Sequence, residues 1–116
     1  MIVRLDLPGD EAGDELRQLQ GWLRADEDLA GITVTGRQAP ARDGEMGPAL
    51  EALHLVLEPQ GLLTAVAASV GTWASTRRRA VRIRVRSGEK EVEIDAPRLA
   101  DPDEVARRIL RELEGR

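Results

Sequence analysis

Side chains with the chemistry for catalysis are few in this sequence. The single histidine, His54, lies in an apolar stretch, and the chain has neither a cysteine nor a serine in a nucleophile-elbow motif near it. A general base needs a partner that positions it and a group that it activates. The pattern around His54 therefore predicts a surface or interface residue, and we expect no catalytic residues and no enzyme.

Patterns typical of metal and cofactor sites are also missing. The acidic residues 26–28 are adjacent, whereas a calcium loop spaces its ligands along the chain. The glycines match neither a P-loop nor a dinucleotide-binding fingerprint. Because there is no cysteine, thiolate metal sites and disulfides are excluded. We therefore expect no metal and no cofactor.

Arginine is concentrated in residues 77–86, where it fills six of ten positions. Successive side chains of a strand point to opposite faces, so Arg82, Arg84 and Arg86 share one face. Carboxylates alternate in the same way over residues 91–95. A hairpin loop of two or of four residues sets arginine against carboxylate, whereas a loop of three would oppose apolar and charged residues. Both remaining strand registers therefore predict a ladder of arginine–carboxylate pairs, in which the positive charges are neutralised within the domain.

Residues 77–79 have no such partner in the sequence. Arg77, Arg78 and Arg79 follow an apolar helical segment, where cations interact favourably with the helix dipole. They are also where an anionic ligand or an acidic protein surface should be sought. The net charge of −4 and the absence of Phe and Tyr argue against nucleic acid as the partner.

The elements that position these residues follow from the spacing of apolar side chains. Alternation predicts four strands, over residues 2–7, 32–35, 81–86 and 91–95. Helical spacing predicts three helices, over residues 10–25, over residues 48–76 with an interruption or kink at 58–61, and from residue 101 onward.

These elements predict a single α+β domain over residues 1–116, in the order β-α-β-α-β-β-α. Right-handed crossovers would make the first two strands parallel, which gives a four-stranded mixed sheet. Every strand has one apolar face. The helices, including the long central one, should therefore cover one face of a two-layer sandwich and leave the other to solvent or a partner.

Small residues recur every four positions on the central helix, at Ala67, Gly71 and Ser75. Such spacing lets another backbone approach closely. Two interpretations stay open: packing onto the domain's own sheet, or contact with a second subunit or partner. Trp73 and the loop residue Met46 are further candidate contacts, although Met46 also suits the core. A core with two aromatic residues favours stabilisation as a homo-oligomer.

Several segments together resemble a known family. They are the strand–helix opening, the hairpin, and the segments LRQLQGWLRADEDLAGITV, GEMGPALEAL, TWASTRRRAVRIRV and PDEVARRIL. Over nearly its whole length the sequence resembles the effector-associated constant component family of bacteria, especially actinobacteria. Members of that family are small proteins encoded beside variable effectors, such as caspase-like or trypsin-like peptidases, in predicted conflict systems.

The resemblance implies a non-enzymatic scaffold or adaptor that binds or positions an effector protein encoded nearby.

The lack of cysteine suits the cytoplasm, and the apolar part of residues 59–76 is too short to span a membrane. The alternative function is a nucleic-acid-binding regulatory module that uses residues 77–79 and the arginine strand. The candidate contacts with a partner or a second copy are Met46, Ala67, Gly71, Trp73, Ser75, Arg77, Arg78 and Arg79.

Overall fold

Five strands and three α-helices form within the residues that the computed structural model describes, which are 1–8, 12–39, 49–59 and 61–114. In chain order the elements are β1 (Ile2–Asp6), α1 (Ala12–Ala25), a short 3-10 helix (Glu27–Leu29), β2 (Thr33–Ala39), β3 (Ala49–Val56), α2 (Leu62–Ser75), β4 (Val81–Ser87), β5 (Lys90–Ala96) and α3 (Pro102–Glu114). The predicted α+β class and the three helices are confirmed.

The five strands form one sheet in the order β2-β3-β1-β4-β5, and every pair of neighbours is antiparallel. The prediction of a four-stranded mixed sheet is therefore wrong. Strands β1 and β2 do run in the same direction, because each is antiparallel to β3. They are not paired, since β3 lies between them.

The long central helix predicted over residues 48–76 does not form. Its first half is β3, a turn follows, and the helix itself is Leu62–Ser75. Alanine, leucine and glutamate favour helix, which explains the error. In the structure β3 pairs on both sides, and Leu55 lies opposite both Val3 and Val34. Pairing with two strands outweighs the intrinsic preference of these residues.

The core fills the space between one face of the sheet and the helices. Val3 and Leu5 of β1 are fully buried there, whereas Arg4 and Asp6 point to the other face. The apolar stripes predicted for the first and last helices supply the opposite wall, with Leu16, Leu19, Leu23, Val105, Ile109 and Leu113 all buried. The sheet thus has a covered face and an open face.

The hairpin of β4 and β5 adopts one of the two predicted registers. Arg82 lies opposite Asp95, Arg84 opposite Glu93 and Arg86 opposite Glu91, as a four-residue connection requires. Ser87 and Lys90 also pair, so the turn itself is Gly88 and Glu89. Gly88 has φ 61°, and a type II′ turn places glycine at this first central position.

Candidate functional site

Residues 77–79 follow α2 and are held mainly by α1. Nη1 of Arg77 donates a hydrogen bond to Oε1 of Gln18, and Arg79 forms an ion pair with Glu15. The sequence offered no partner for these arginines, and the fold provides two from a helix about sixty residues earlier. Arg77 and Arg79 therefore fix the segment between α2 and β4 to α1.

Arg77 makes two further contacts. Its guanidinium carbon lies 4.9 Å from the ring centroid of Trp73, a distance typical of a cation–π contact. Its carbonyl oxygen accepts a hydrogen bond of 2.9 Å from the backbone N–H of Leu99. Arg78 is exposed, and its side chain forms no ion pair or hydrogen bond with another described residue.

The small residues of α2 lie at a contact inside the domain. Ala67 and Gly71 are buried, and a Cβ added to Gly71 would lie 2.3 Å from the carbonyl oxygen of Pro102. Glycine therefore lets α2 approach the first turn of α3 closely. The hydroxyl of Ser75 donates a 2.6 Å hydrogen bond to the carbonyl oxygen of Thr72. Gly71 thus packs against α3 rather than against the sheet, whereas the hydroxyl of Ser75 bonds within its own helix.

The predicted contact residues are thus not gathered on one surface. Trp73 is 1% exposed, so it lies in the core with Ala67 and Gly71. Met46 lies outside the described residues. Arg78 is exposed and Ser75 is partly exposed, so these two predicted contact residues lie at the surface.

The open face of the sheet consists of the side chains that point away from the helices. On the two strands of the hairpin this face is largely neutralised. Nε of Arg82 lies 2.8 Å from Oδ1 of Asp95 and 3.5 Å from Oε1 of Glu93. Nε of Arg84 lies 3.0 Å from Oδ1 of Asp6 on β1. The hydrogen bond to Asp95, with the charges of Asp95 and Glu93, raises the pKa of Arg82 above its ordinary value.

The central strands of the open face carry a different arrangement, which we call the basic patch: Arg4, Arg37, His54 and Arg86. Arg4 of β1 lies directly opposite His54 on one side and Arg86 on the other. Nε of Arg37 donates a 3.3 Å hydrogen bond to Nδ1 of His54. Neighbouring strands lie about 4.8 Å apart, so the patch spans roughly 14 Å across four strands.

Positive charge exceeds negative charge within the basic patch. Arg4 has an ion pair with Asp6 at 3.7 Å, but Asp6 lies closer to Arg84, at 3.0 Å. For Arg37 and Arg86 no ion pair within 4 Å is recorded among the described residues. Like charges directly opposite each other in a sheet are destabilising. Repulsion between Arg4 and Arg86 therefore destabilises the sheet locally, and a bound anion would reduce that repulsion.

His54 is a neutral member of the patch near pH 7. Partial burial lowers its pKa, and the charges of Arg37, Arg4 and Arg86 lower it further. Because Nδ1 accepts the hydrogen bond from Arg37, the neutral ring carries its proton on Nε2. Protonation would add another cation between arginines, so the patch itself opposes it.

An apolar pair adjoins the basic patch. Ile2 and Val56 lie opposite each other on β1 and β3, and they are 61% and 42% exposed. Each lies two residues from a patch member on its own strand, Arg4 and His54 respectively, so all four share the open face. The open face thus offers cationic and apolar contacts side by side.

Metal-binding clusters and membrane-spanning helices are both absent from the described ranges. No group of three or more His, Asp or Glu side chains there is placed to hold a metal ion. None of the helices there combines the length and apolarity needed to cross a bilayer. The basic patch is therefore the arrangement that we consider further.

The family model described as Effector Associated Constant Component 1 matches residues 8–114. The chain belongs to this family. The match confirms the resemblance seen in the sequence and includes Arg37, His54 and Arg86 of the basic patch, whereas Arg4 precedes it. No curated protein and no solved structure matches the chain.

The sequence did not reveal the basic patch of this Effector Associated Constant Component 1 chain. Alternation in β1 predicts that Arg4 lies on the outer face, but the helix predicted over residues 48–76 contains His54, and Arg37 falls outside the strand predicted over residues 32–35. A signal was present, because Leu53, Leu55 and Leu57 alternate around His54. Recognising β3 from that alternation would have placed His54 on the same face as Arg4.

Proposed function

We propose that this chain is a non-enzymatic scaffold or adaptor that binds and positions an effector protein encoded nearby in a bacterial conflict or defence system. Membership of the Effector Associated Constant Component 1 family carries the proposal, because the family description names association with effectors. The proposed site of action is the bacterial cytoplasm.

The open face supports this proposal as the surface that meets the effector. It is a broad sheet face with exposed apolar side chains, Ile2 and Val56, next to a patch in which Arg37 and Arg86 form no ion pair with another described residue and Arg4 shares Asp6 with Arg84. Exposed apolar groups bordered by charge are typical of protein interaction sites. Ala67, Gly71 and Trp73 of α2, which were also predicted as contacts, are buried inside the domain.

The surroundings of His54 support a non-enzymatic role. Its recorded hydrogen bond comes from Arg37, a permanent cation that it cannot activate as a nucleophile. The neighbouring arginines further disfavour the protonated form that a general base reaches during turnover.

Nucleic-acid binding through residues 77–79 and the arginine strand loses support in the fold. Arg77 and Arg79 contact α1, and Arg82 and Arg84 contact carboxylates. We therefore retain one candidate function.

Co-purification tests the proposed function. The affinity-tagged chain is co-expressed with each protein encoded beside its gene, including any peptidase-like one, and the complexes are analysed by size-exclusion chromatography with light scattering. We expect one neighbour to co-elute at a fixed ratio, and the same measurement on the chain alone tests the proposed homo-oligomer. An unrelated protein of similar size and charge is the control. Failure of every neighbour to bind contradicts the adaptor role.

A further inference from the structure

Residues that lie directly opposite one another on successive strands form rows across the open face. Two neighbouring rows differ in how their charges alternate. In the row through Asp6, the carboxylate lies opposite Arg84, and their side chains form an ion pair. In the row through Arg4, the residues on either side are His54 and Arg86, so Arg4 and Arg86 are adjacent, and the carboxylate of this row, Glu91, lies beyond Arg86 on β5. A carboxylate from another molecule would convert this repulsion into two favourable contacts.

We propose that the basic patch is the docking site for an acidic segment of the partner protein. This inference rests on the proposed function and specifies the chemistry of its contact. The patch spans roughly 14 Å, which corresponds to about four residues of extended chain. Each arginine presents a planar fork of donors that matches a carboxylate. A segment with two or three Asp or Glu residues within about four to six positions fits these dimensions.

The apolar pair beside the patch offers a second contact. Ile2 and Val56 remain exposed next to Arg4 and His54. An acidic segment that also carries an aliphatic side chain would cover this pair while its carboxylates reach the arginines. Burial of this apolar surface would add affinity to the charge contacts, because each exposed charge pair contributes little on its own.

The same face disfavours nucleic acid as the occupant. The sequence has two aromatic residues of the kind that stack on bases, both tryptophan. Trp22 lies on α1 and Trp73 is buried in α2, so neither offers a stacking surface beside the patch.

Peptide binding tests the chemistry of the patch. Fluorescein-labelled decaglutamate is titrated with the full chain at about 20 mM salt, where exposed charges are weakly screened. Decaglutamine and a ten-nucleotide single-stranded DNA carry the same label. The test variant is Arg4→Gln/Arg86→Gln. Its matched control is Arg98→Gln/Arg108→Gln, which removes the same charge at two exposed positions outside the sheet.

We expect decaglutamate to bind the wild type more tightly than decaglutamine or DNA. Loss of two exposed charge contacts should weaken binding by about tenfold in the test variant and less than twofold in the control. Equal weakening in both variants, or no binding to the wild type, overturns the proposal. DNA binding that is tighter than decaglutamate binding and is lost in the test variant would also overturn it. Self-association that the same variant abolishes would assign the patch to a second copy and likewise overturn it.

A second measurement separates this inference from the proposed function. Co-purification with the neighbouring effector is repeated with both double variants, after thermal unfolding has shown that each is folded. Loss of the effector from the test variant alone supports the acidic-segment proposal. If the effector binds the test variant as well as the wild type, the adaptor role stands and the docking proposal fails. If no neighbour binds the wild type while decaglutamate does, the adaptor role fails and the chemistry of the patch stands.

Discussion

Replacement of Gly71 by alanine should destabilise the chain, although alanine is the better helix former. A Cβ at this position would lie 2.3 Å from the carbonyl oxygen of Pro102, whereas real Cβ atoms keep at least about 3.0 Å from such neighbours. The backbone at the start of α3 must therefore move by at least about 0.7 Å. Overpacking of this kind costs typically about 1–3 kcal/mol.

Gly21 on α1 provides a matched control. It is also inside a helix, but a Cβ added there meets no atom within 4 Å. Gly21→Ala should therefore show the helix propensity gain alone, about 0.8–1 kcal/mol. The same gain applies to Gly71→Ala, so the difference between the two variants isolates the clash. We expect Gly71→Ala to be less stable than Gly21→Ala by about 2 kcal/mol.

Urea unfolding followed by tryptophan fluorescence measures this difference, because Trp73 is buried two residues from Gly71. If Gly71→Ala is as stable as Gly21→Ala, α2 and α3 do not approach as closely as described, and the reasoning is refuted. Light scattering of both variants distinguishes an intersubunit contact. A role of Gly71 between subunits predicts a changed oligomeric state with unchanged stability of the monomer.

Two other predictions concern Leu99 and His54. Leu99 has φ 52° and is 55% exposed, so Leu99→Gly should relieve backbone strain and raise the free energy of unfolding by about 0.5–1 kcal/mol. The control is Arg98→Gly, at a residue without positive φ, which should lower the free energy of unfolding. Equal losses of stability in the two variants would contradict the prediction. Because the pKa of His54 is lowered in the folded chain, the unfolded chain binds a proton at His54 more readily than the folded chain does. The contribution of His54 to stability is therefore fully present above about pH 6.5 and is lost as pH falls from that value towards the pKa in the folded chain. His54→Gln should remove that loss, so urea unfolding between pH 8 and pH 5 should show a smaller decline for the variant than for the wild type, and parallel declines would count against a lowered pKa.

Much of the secondary structure is determined locally. Alternation of apolar and polar residues in β1, β4 and β5 predicts both the strands and which side chains face the core. Helix α3 follows from its capping residues, since Oδ1 of Asp101 accepts a hydrogen bond from the backbone N–H of Asp103. These features depend on neighbours within a few positions, so the sequence alone shows them.

Strand β3 could not be assigned by propensity. Its residues Ala49 to Val56 include alanine, leucine and glutamate, which favour helix, and its alternation is visible only around His54. In the fold it forms hydrogen-bonded ladders with both β1 and β2. The gain from pairing on two sides depends on strands far apart in the chain, and a local pattern does not contain that information.

The sequence by itself determined the α+β class, the charge ladder of the hairpin and the expectation of a face without helices. The tertiary structure alone decided the sheet order, and with it the position of β3 between β1 and β2. That order places Arg4 between His54 and Arg86, and it brings Arg37 into contact with His54. The basic patch draws its four residues from four strands, so it exists only once long-range pairing has set the register. For the same reason Arg77 and Arg79 contact partners on α1, which local sequence did not offer.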